Sequence, residues 1–313
     1  MNEFNFKIQD KSSYDFLCGR VKVLETLLIP FSEYKVIAEE SFEEFVSVIE
    51  SFPYKNFLTG KDLNAVESAI FKRKESEFSD FEKFGLTPFI NVFFRSSDYF
   101  LLVKKAALGE EVEDSFKAFL ENDGTAYPKH FRECFLDLKT DYPFYFRPVI
   151  VDVHYLQFLS DYSKLTKSQF IIDFYRKLTE NYLLMILFRN ERFVKENFIS
   201  KQQFDEALKF LKMKLTNNEI LKEVTSFESF EELVNEKKGL YGEPNISESW
   251  QGLIYKTYMD TFEKGKFFNE GIEPIFVYLL RLTYEASILQ KIAYVLYHGL
   301  NPGENLSVEL AYE

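Results

Sequence analysis

Residues 273–298 set Ile275, Leu279, Leu282, Ala286, Leu289, Ala293 and Leu296 at alternating steps of four and three. Only an α-helix brings such residues onto one face, and a seam of about three heptads commits the segment to packing along its whole length. Pro274 suits a first helical turn, where its missing N–H is no loss, and Gly299 with Pro302 marks the stop. A second face of this kind runs through Tyr14, Leu17, Val21, Leu24 and Leu28 in residues 12–29, which Pro30 closes. Patterns that alternate with period two are nearly absent, and the best of them, Arg147 to Val153, sits at a proline. The fold class expected is all-α.

Composition agrees with long helices and little loop. There are 36 Phe and 19 Tyr against 12 Gly and 9 Pro, so most rings are expected in the core. Lys and Arg number 38 and Asp and Glu 50, a net charge of −12. An acidic chain lacks the clustered cations that phosphate contacts require, so no nucleic-acid partner is expected. A hydrophobic content of 46% excludes a mainly disordered chain. Cys18 and Cys134 lie far apart and read as small buried apolar side chains in a reducing compartment. The opening MNEFNFKIQD has no basic stretch followed by an apolar one, so no signal peptide is expected. The longest apolar run, Tyr182 to Phe188, falls well short of the roughly 20 residues that cross a bilayer, and no direct membrane insertion is expected.

Three segments resemble one another: TPFINVFFRSSDYFLLVKKAALG (87–109), SQFIIDFYRKLTENYLLMILFRN (168–190) and EPIFVYLLRLTYEASILQKIAYV (273–295). Each opens apolar and places an Arg one turn before an acid: Arg95 with Asp98, Arg176 with Glu180, Arg281 with Glu285. A single constant offset maps both members of the second pair onto the third. Upstream of each long segment lies a short aromatic-acidic helix closing on a Tyr: SFEEFVSVIESFPYKNFL (41–58), HFRECFLDLKTDYPFYF (130–146) and SFESFEELVNEKKGLYG (226–242). Middle helices near 61–84, 149–163 and 247–265 lie between. The boundaries this pattern sets are 1–122 for a first helical repeat with the N-terminal helix, 123–222 for a second and 223–313 for a third.

Catalytic signatures are missing. Thr59-Gly60-Lys61-Asp62 lacks the upstream Gly and the hydroxyl of a phosphate-binding loop. His130, His154 and His298 have no ligand spacing, and neither HExxH nor CxxC occurs, so no catalytic residue, metal or cofactor is expected. A prenyl-chain enzyme would need a DDxxD cluster; Asp137 and Asp141 stand one turn apart but isolated. The pairs Glu43-Glu44, Glu110-Glu111 and Glu231-Glu232 suit early helical turns, where carboxylates favour the dipole. The Arg–acid pairs of the long helices have two readings. They are surface ion pairs contributing about 0.2–0.5 kcal/mol each, or they are charges on a shared surface that meet a partner. Asn181, within the stripe Ile171, Phe174, Leu178, Met185 and Phe188, reads as a residue that fixes helix register.

In order along the chain, the sequence resembles the C/d family of central-stalk subunits of the vacuolar/archaeal-type (V/A-type) rotary ATPase. The residues that carry the resemblance are Tyr14, Arg20, Glu25 and Leu28 of the opening helix, Ser51 with Tyr54, Thr140-Asp141-Tyr142, Asp98 through Leu101 with Lys104-Lys105-Ala106, and Glu180 through Leu183. The end of the chain is the most specific match: Pro274, Tyr278-Leu279, Glu285, Ile288-Leu289, then Gly299-Leu300-Asn301-Pro302. The resemblance implies three similar helical bundles in a pseudo-threefold, funnel-like arrangement. It implies a non-catalytic, peripheral protein on the cytoplasmic face of the membrane, coupling the central rotor shaft subunits to the membrane proteolipid ring for proton or sodium transport. On that reading Arg95, Asp98, Arg176, Glu180, Arg281 and Glu285 face a partner. The alternative is an all-helical repeat scaffold or adaptor whose helix pairs stack in a line.

Overall fold

The computed structural model describes residues 4–5, 11–122, 127–140, 142–215, 218–241 and 246–306. Every regular element among them is helical. In chain order the α-helices are α1 (Asp15–Glu25), α2 (Phe31–Ala38), α3 (Phe42–Ser51), α4 (Leu63–Phe81), α5 (Thr87–Phe94), α6 (Ser96–Ala107), α7 (Asp114–Asn122) and α8 (Lys129–Lys139). They continue as α9 (Arg147–Leu165), α10 (Gln169–Lys195), α11 (Lys201–Lys214), α12 (Glu219–Glu223), α13 (Phe227–Tyr241), α14 (Ile246–Gly265), α15 (Glu273–Tyr297) and α16 (Pro302–Asn305). No helix among the described residues is long and apolar enough to cross a membrane. Asp141 and most of the opening segment lie outside the described residues, as do the side chains of α13 from residue 236 on.

Local signals account for the helix ends. Ser41 accepts from the Glu44 N–H while the Glu44 carboxylate accepts from the Ser41 N–H, a reciprocal box that starts α3. Ser200 and Gln203 do the same for α11. At the end of α15 the Gly299 N–H bonds to Leu296 O and the Leu300 N–H to Val295 O. That paired closure needs a left-handed residue, and Gly299 supplies it at φ 62°.

Two expected helices are shorter than their periodicity. The first stops at Glu25, ahead of Pro30, because tertiary partners take over its last polar groups: Ile29 N–H donates to Glu285 and Leu27 O accepts from Arg73. The segment 87–109 breaks at Arg95, whose N–H reaches back to Ile90 O instead of continuing the ladder. Ser96, Ser97 and Asp98 then open α6, as short polar residues prefer helix starts to interiors.

The chain divides by contact into two compact units. Unit 1 comprises Met1–Lys7 and Pro88–Ile254; unit 2 comprises Ile8–Thr87 and Tyr255–Glu313. These limits are not the repeat boundaries read from the sequence, which follow likeness between segments instead of contact.

In unit 1, α6, α8 and α9 pack against one another, α10 pairs with α9, and α11 joins both. Phe131 of α8 sits at the centre of a ring cluster, 4.9 Å from Phe100, 5.4 Å from Phe4, 5.5 Å from Phe158 and 5.6 Å from Tyr99 between centroids. Edge-to-face and offset pairs of this kind add about 0.5–1.5 kcal/mol each beyond burial. A second cluster joins Phe188, Phe204, Phe227 and Phe230 from α10, α11 and α13. Cys134 is buried in this unit and Cys18 in the other, where its thiol donates to Gly271 O.

In unit 2, α15 packs chiefly along α4, with α1, α2 and α3 against its remaining sides. Pro274 through Leu280 are all buried, so this stretch of α15 is enclosed all round. Gly265 ends α14 against it; a Cβ there would meet both Val277 methyls at 2.7 Å. Much of the aromatic load joins helices, although Phe16, Phe198 and Phe267 are exposed.

Candidate functional site

Glu285 occupies the seam face of α15 and is 0% exposed. The chain compensates by aiming four donors at its carboxylate. Oε2 accepts from the Ile29 N–H at 2.7 Å and the Tyr34 hydroxyl at 3.2 Å. Oε1 accepts from the Tyr54 hydroxyl and from Arg73 at 3.0 Å. Arg73 comes from α4 and is itself 1% exposed. Its second terminal nitrogen donates to Leu27 O at 3.1 Å, and its guanidinium lies 4.4 Å from the Tyr54 ring centroid. Four segments of unit 2 therefore converge on one side chain of the last long helix.

Burial pushes the Glu285 carboxyl above its ordinary range, against the pull of Arg73 and the donors. Burial, and next the Glu285 charge, drives the Tyr34 and Tyr54 hydroxyls well up, so both stay protonated and able to donate. Glu77 and Tyr278 extend the cluster; burial raises both, and Arg73 Nε is left without a hydrogen-bond partner. Nearer the surface, Asp80 pairs with Lys83 and Arg20. A site so closed off has no substrate access. It locks α15 to α2, to the helical turn Pro53–Asn56 that follows α3, and to α4.

The six residues singled out by the Arg–acid pattern fall in different environments. Arg281 and Glu285 do not pair; Glu285 is taken by Arg73, and Arg281 lies over Phe31 with its guanidinium carbon 4.7 Å from the ring centroid. Arg176 is exposed and bonds Asp173 at 3.0 Å, with Glu180 only 3.9 Å away, so this pair forms the helical ion pair of the plain reading. Arg95 caps α6 and reaches Asn91, while Asp98 is exposed in the first turn of the same helix. Asn181 donates to Leu253 O at 3.1 Å, tying α10 to the backbone of α14.

The tyrosines at related helix ends differ as well. Tyr54 holds Glu285, whereas Tyr142 stacks on Phe146 with centroids 5.0 Å apart; the side chain of Tyr241 is outside the described set.

Sequence reasoning missed Arg73. The signal was present: Val66, Ala69, Ile70, Arg73 and Glu77 follow helical steps of three and four, so two charges stand on the apolar stripe of α4. The histidines of unit 1 have carboxylate partners. His154 Nε2 meets Asp137 at 2.7 Å, and Lys214 approaches the same carboxylate at 2.7 Å. Burial opposes ionisation of Asp137, but His154 and Lys214 outweigh it and hold the carboxyl below its usual range. His130 Nε2 meets Asp161 at 3.1 Å. Among the described residues, no group of three or more His, Cys, Asp and Glu is arranged to hold a metal ion. The chain matches no protein-family model, and no curated protein sequence matches it.

Proposed function

We propose that this chain is a non-catalytic coupling subunit of a rotary ATPase of the vacuolar/archaeal type, resembling the C/d family of its central stalk, and that it joins the rotor shaft to the membrane proteolipid ring at the cytoplasmic face. The observation that carries the proposal is which helices the long ones pack on. In each repeat the order is short helix, middle helix, long helix: α3, α4 and α5–α6; α8, α9 and α10; α13, α14 and α15. Two of the long helices pack on the short and middle helices of another repeat, whereas α10 packs chiefly on α9 of its own and touches the third repeat at single side chains. The α6 helix lies on α8 and α9. The α10 helix meets α13 through Phe188 and Phe230 and α14 through Asn181. The α15 helix lies on α3 and α4, fastened by Glu285 to Tyr54 and Arg73.

The pairing of α15 with α3 and α4 argues for a cyclic set of three bundles. In a linear stack of helix pairs the last repeat does not meet the first. A cyclic set suits torque transmission, and the contact of α15 with α3 and α4 ties the third repeat to the first. On this reading the exposed Arg176 and the half-exposed Glu180 of α10 are the charges that meet a partner; Glu285 serves the interior.

The test is co-purification. A tagged full-length chain should capture the detergent-solubilised proteolipid ring and the rotor shaft subunits, and Arg176→Glu should weaken the capture without changing helix content. Capture of neither assembly by the folded chain would leave the linear adaptor as the better reading.

A further inference from the structure

Unit 2 holds a second, half-buried guanidinium that the Glu285 cluster does not use. Arg281 stands one turn before Glu285 yet forms no salt bridge among the described residues, and its Nε is buried without a hydrogen-bond partner. Its guanidinium rests on Phe31, which is stacked in turn on Phe262 with centroids 5.5 Å and planes 20° apart. Arg281, Phe31 and Phe262 line a cavity of about 350 Å³ bounded by α1, α2, the end of α14 and the start of α15. Val21, Pro274 and Val277 complete an apolar wall.

Lys22 and Lys266 are on the lining too, each already engaged: Lys22 with Asn269 at 2.9 Å and Lys266 with Glu263. The lining carries a single carboxylate, Glu25, which makes no salt bridge with Arg281; burial raises its pKa against the pull of Arg281 and Lys22.

A guanidinium whose Nε is withdrawn from water without a partner gains when an anion reaches it. Its planar fork matches the two oxygens of a carboxylate. Cavities of this size with apolar walls and few polar groups are the usual form of small-ligand sites. At about 30 Å³ per water, the space holds on the order of ten waters or a ligand of similar bulk. Glu25, on the same lining, disfavours a dianion such as phosphate relative to a monoanion.

We propose that this cavity binds a small aromatic monocarboxylate, its carboxylate held by Arg281 and its ring body by the Phe31–Phe262 wall. Nothing in this assignment depends on the rotary-ATPase reading.

Calorimetric titration of the full chain with 2-naphthoate tests the proposal, with 2-naphthalenemethanol and inorganic phosphate as parallel probes. Saturable one-to-one binding of naphthoate is expected, with the neutral alcohol weaker by about tenfold or more, the magnitude of one charge-assisted contact. Arg281→Met should weaken naphthoate by a similar factor, and Glu25→Gln should tighten it several-fold. Three results would overturn the assignment: no saturable naphthoate binding at millimolar concentration, equal affinity for acid and alcohol, or tighter binding of phosphate than of naphthoate. Should Arg281→Met fail to fold, Glu25→Gln decides alone, since unchanged or weaker affinity in that variant contradicts the proposed geometry.

Discussion

Replacing Glu285 with Gln changes almost no volume, yet the structure predicts a large loss of stability. Each carboxylate oxygen faces two donors: Ile29 N–H and Tyr34 on one side, Tyr54 and Arg73 on the other. An amide offers one acceptor and turns an NH₂ toward the other pair. If its oxygen keeps Arg73, the Ile29 N–H faces another donor, and a buried donor left unsatisfied costs about 1–3 kcal/mol. Arg73, 1% exposed, also loses its counter-ion. Breaking one side of a buried ion pair costs about 3–5 kcal/mol, and that range is the expectation for Glu285→Gln in unit 2.

Arg73→Met should fall in the same range, because it strands a buried carboxylate. The double variant Arg73→Met with Glu285→Leu should lose far less than the two single losses combined, since no charge remains unpaired. Urea unfolding followed by circular dichroism measures all three, with hydrogen exchange of α15 amides assigning the transition to unit 2. A loss below about 1 kcal/mol for Glu285→Gln, or strict additivity in the double variant, would refute the argument.

Phe131→Ala removes the hub of the unit 1 ring cluster and should cost about 3–5 kcal/mol in urea unfolding, with the exchange of α15 amides unchanged. Tyr54→Phe should cost about 1 kcal/mol, far less than Glu285→Gln, because three donors to the carboxylate remain; the same unfolding experiment compares them. Gly265→Ala should destabilise unit 2 by about 1–3 kcal/mol through the clash with Val277, and adding Val277→Ala should recover part of the loss in melting temperature. Burial lowers the pKa of His130 below its ordinary value despite Asp161, so the folded chain holds that proton less tightly than the unfolded one. Unit 1 should therefore lose stability as pH falls below about 6.5, the unfolded value. His130→Gln should flatten that slope between pH 7 and 5 in unfolding free energies, and an unaltered slope would exclude His130 as its source.

Periodicity made the helices legible. The seam of α15 is buried from Ile275 to Ala293 as its spacing implies, with only Leu296 half-buried. The end at Gly299 follows from a residue that tolerates positive φ. What periodicity could not show is where tertiary partners override local preference. Arg73 and Glu285 shorten the reach of α1 by claiming Leu27 O and Ile29 N–H, and no local pattern around residues 25–30 records that. The ion pair expected between Arg281 and Glu285 on one helix failed for the same reason, since a guanidinium from α4 reaches the carboxylate. Spacing set Glu285 beside Arg281 on one helix and could not show Arg73 as its partner. Two charges on the buried stripe of α4 were the available clue, and they become readable only once a burial pattern is assigned to that helix.

The most direct test of a coupling role is native mass spectrometry of the chain assembled with a solubilised proteolipid ring and the rotor shaft subunits. One copy of the chain per ring, bound together with the shaft, is the predicted stoichiometry for a protein seated on the rotor axis. A folded chain that stays free of both ring and shaft, or that adds to the ring in open-ended numbers, would contradict the account.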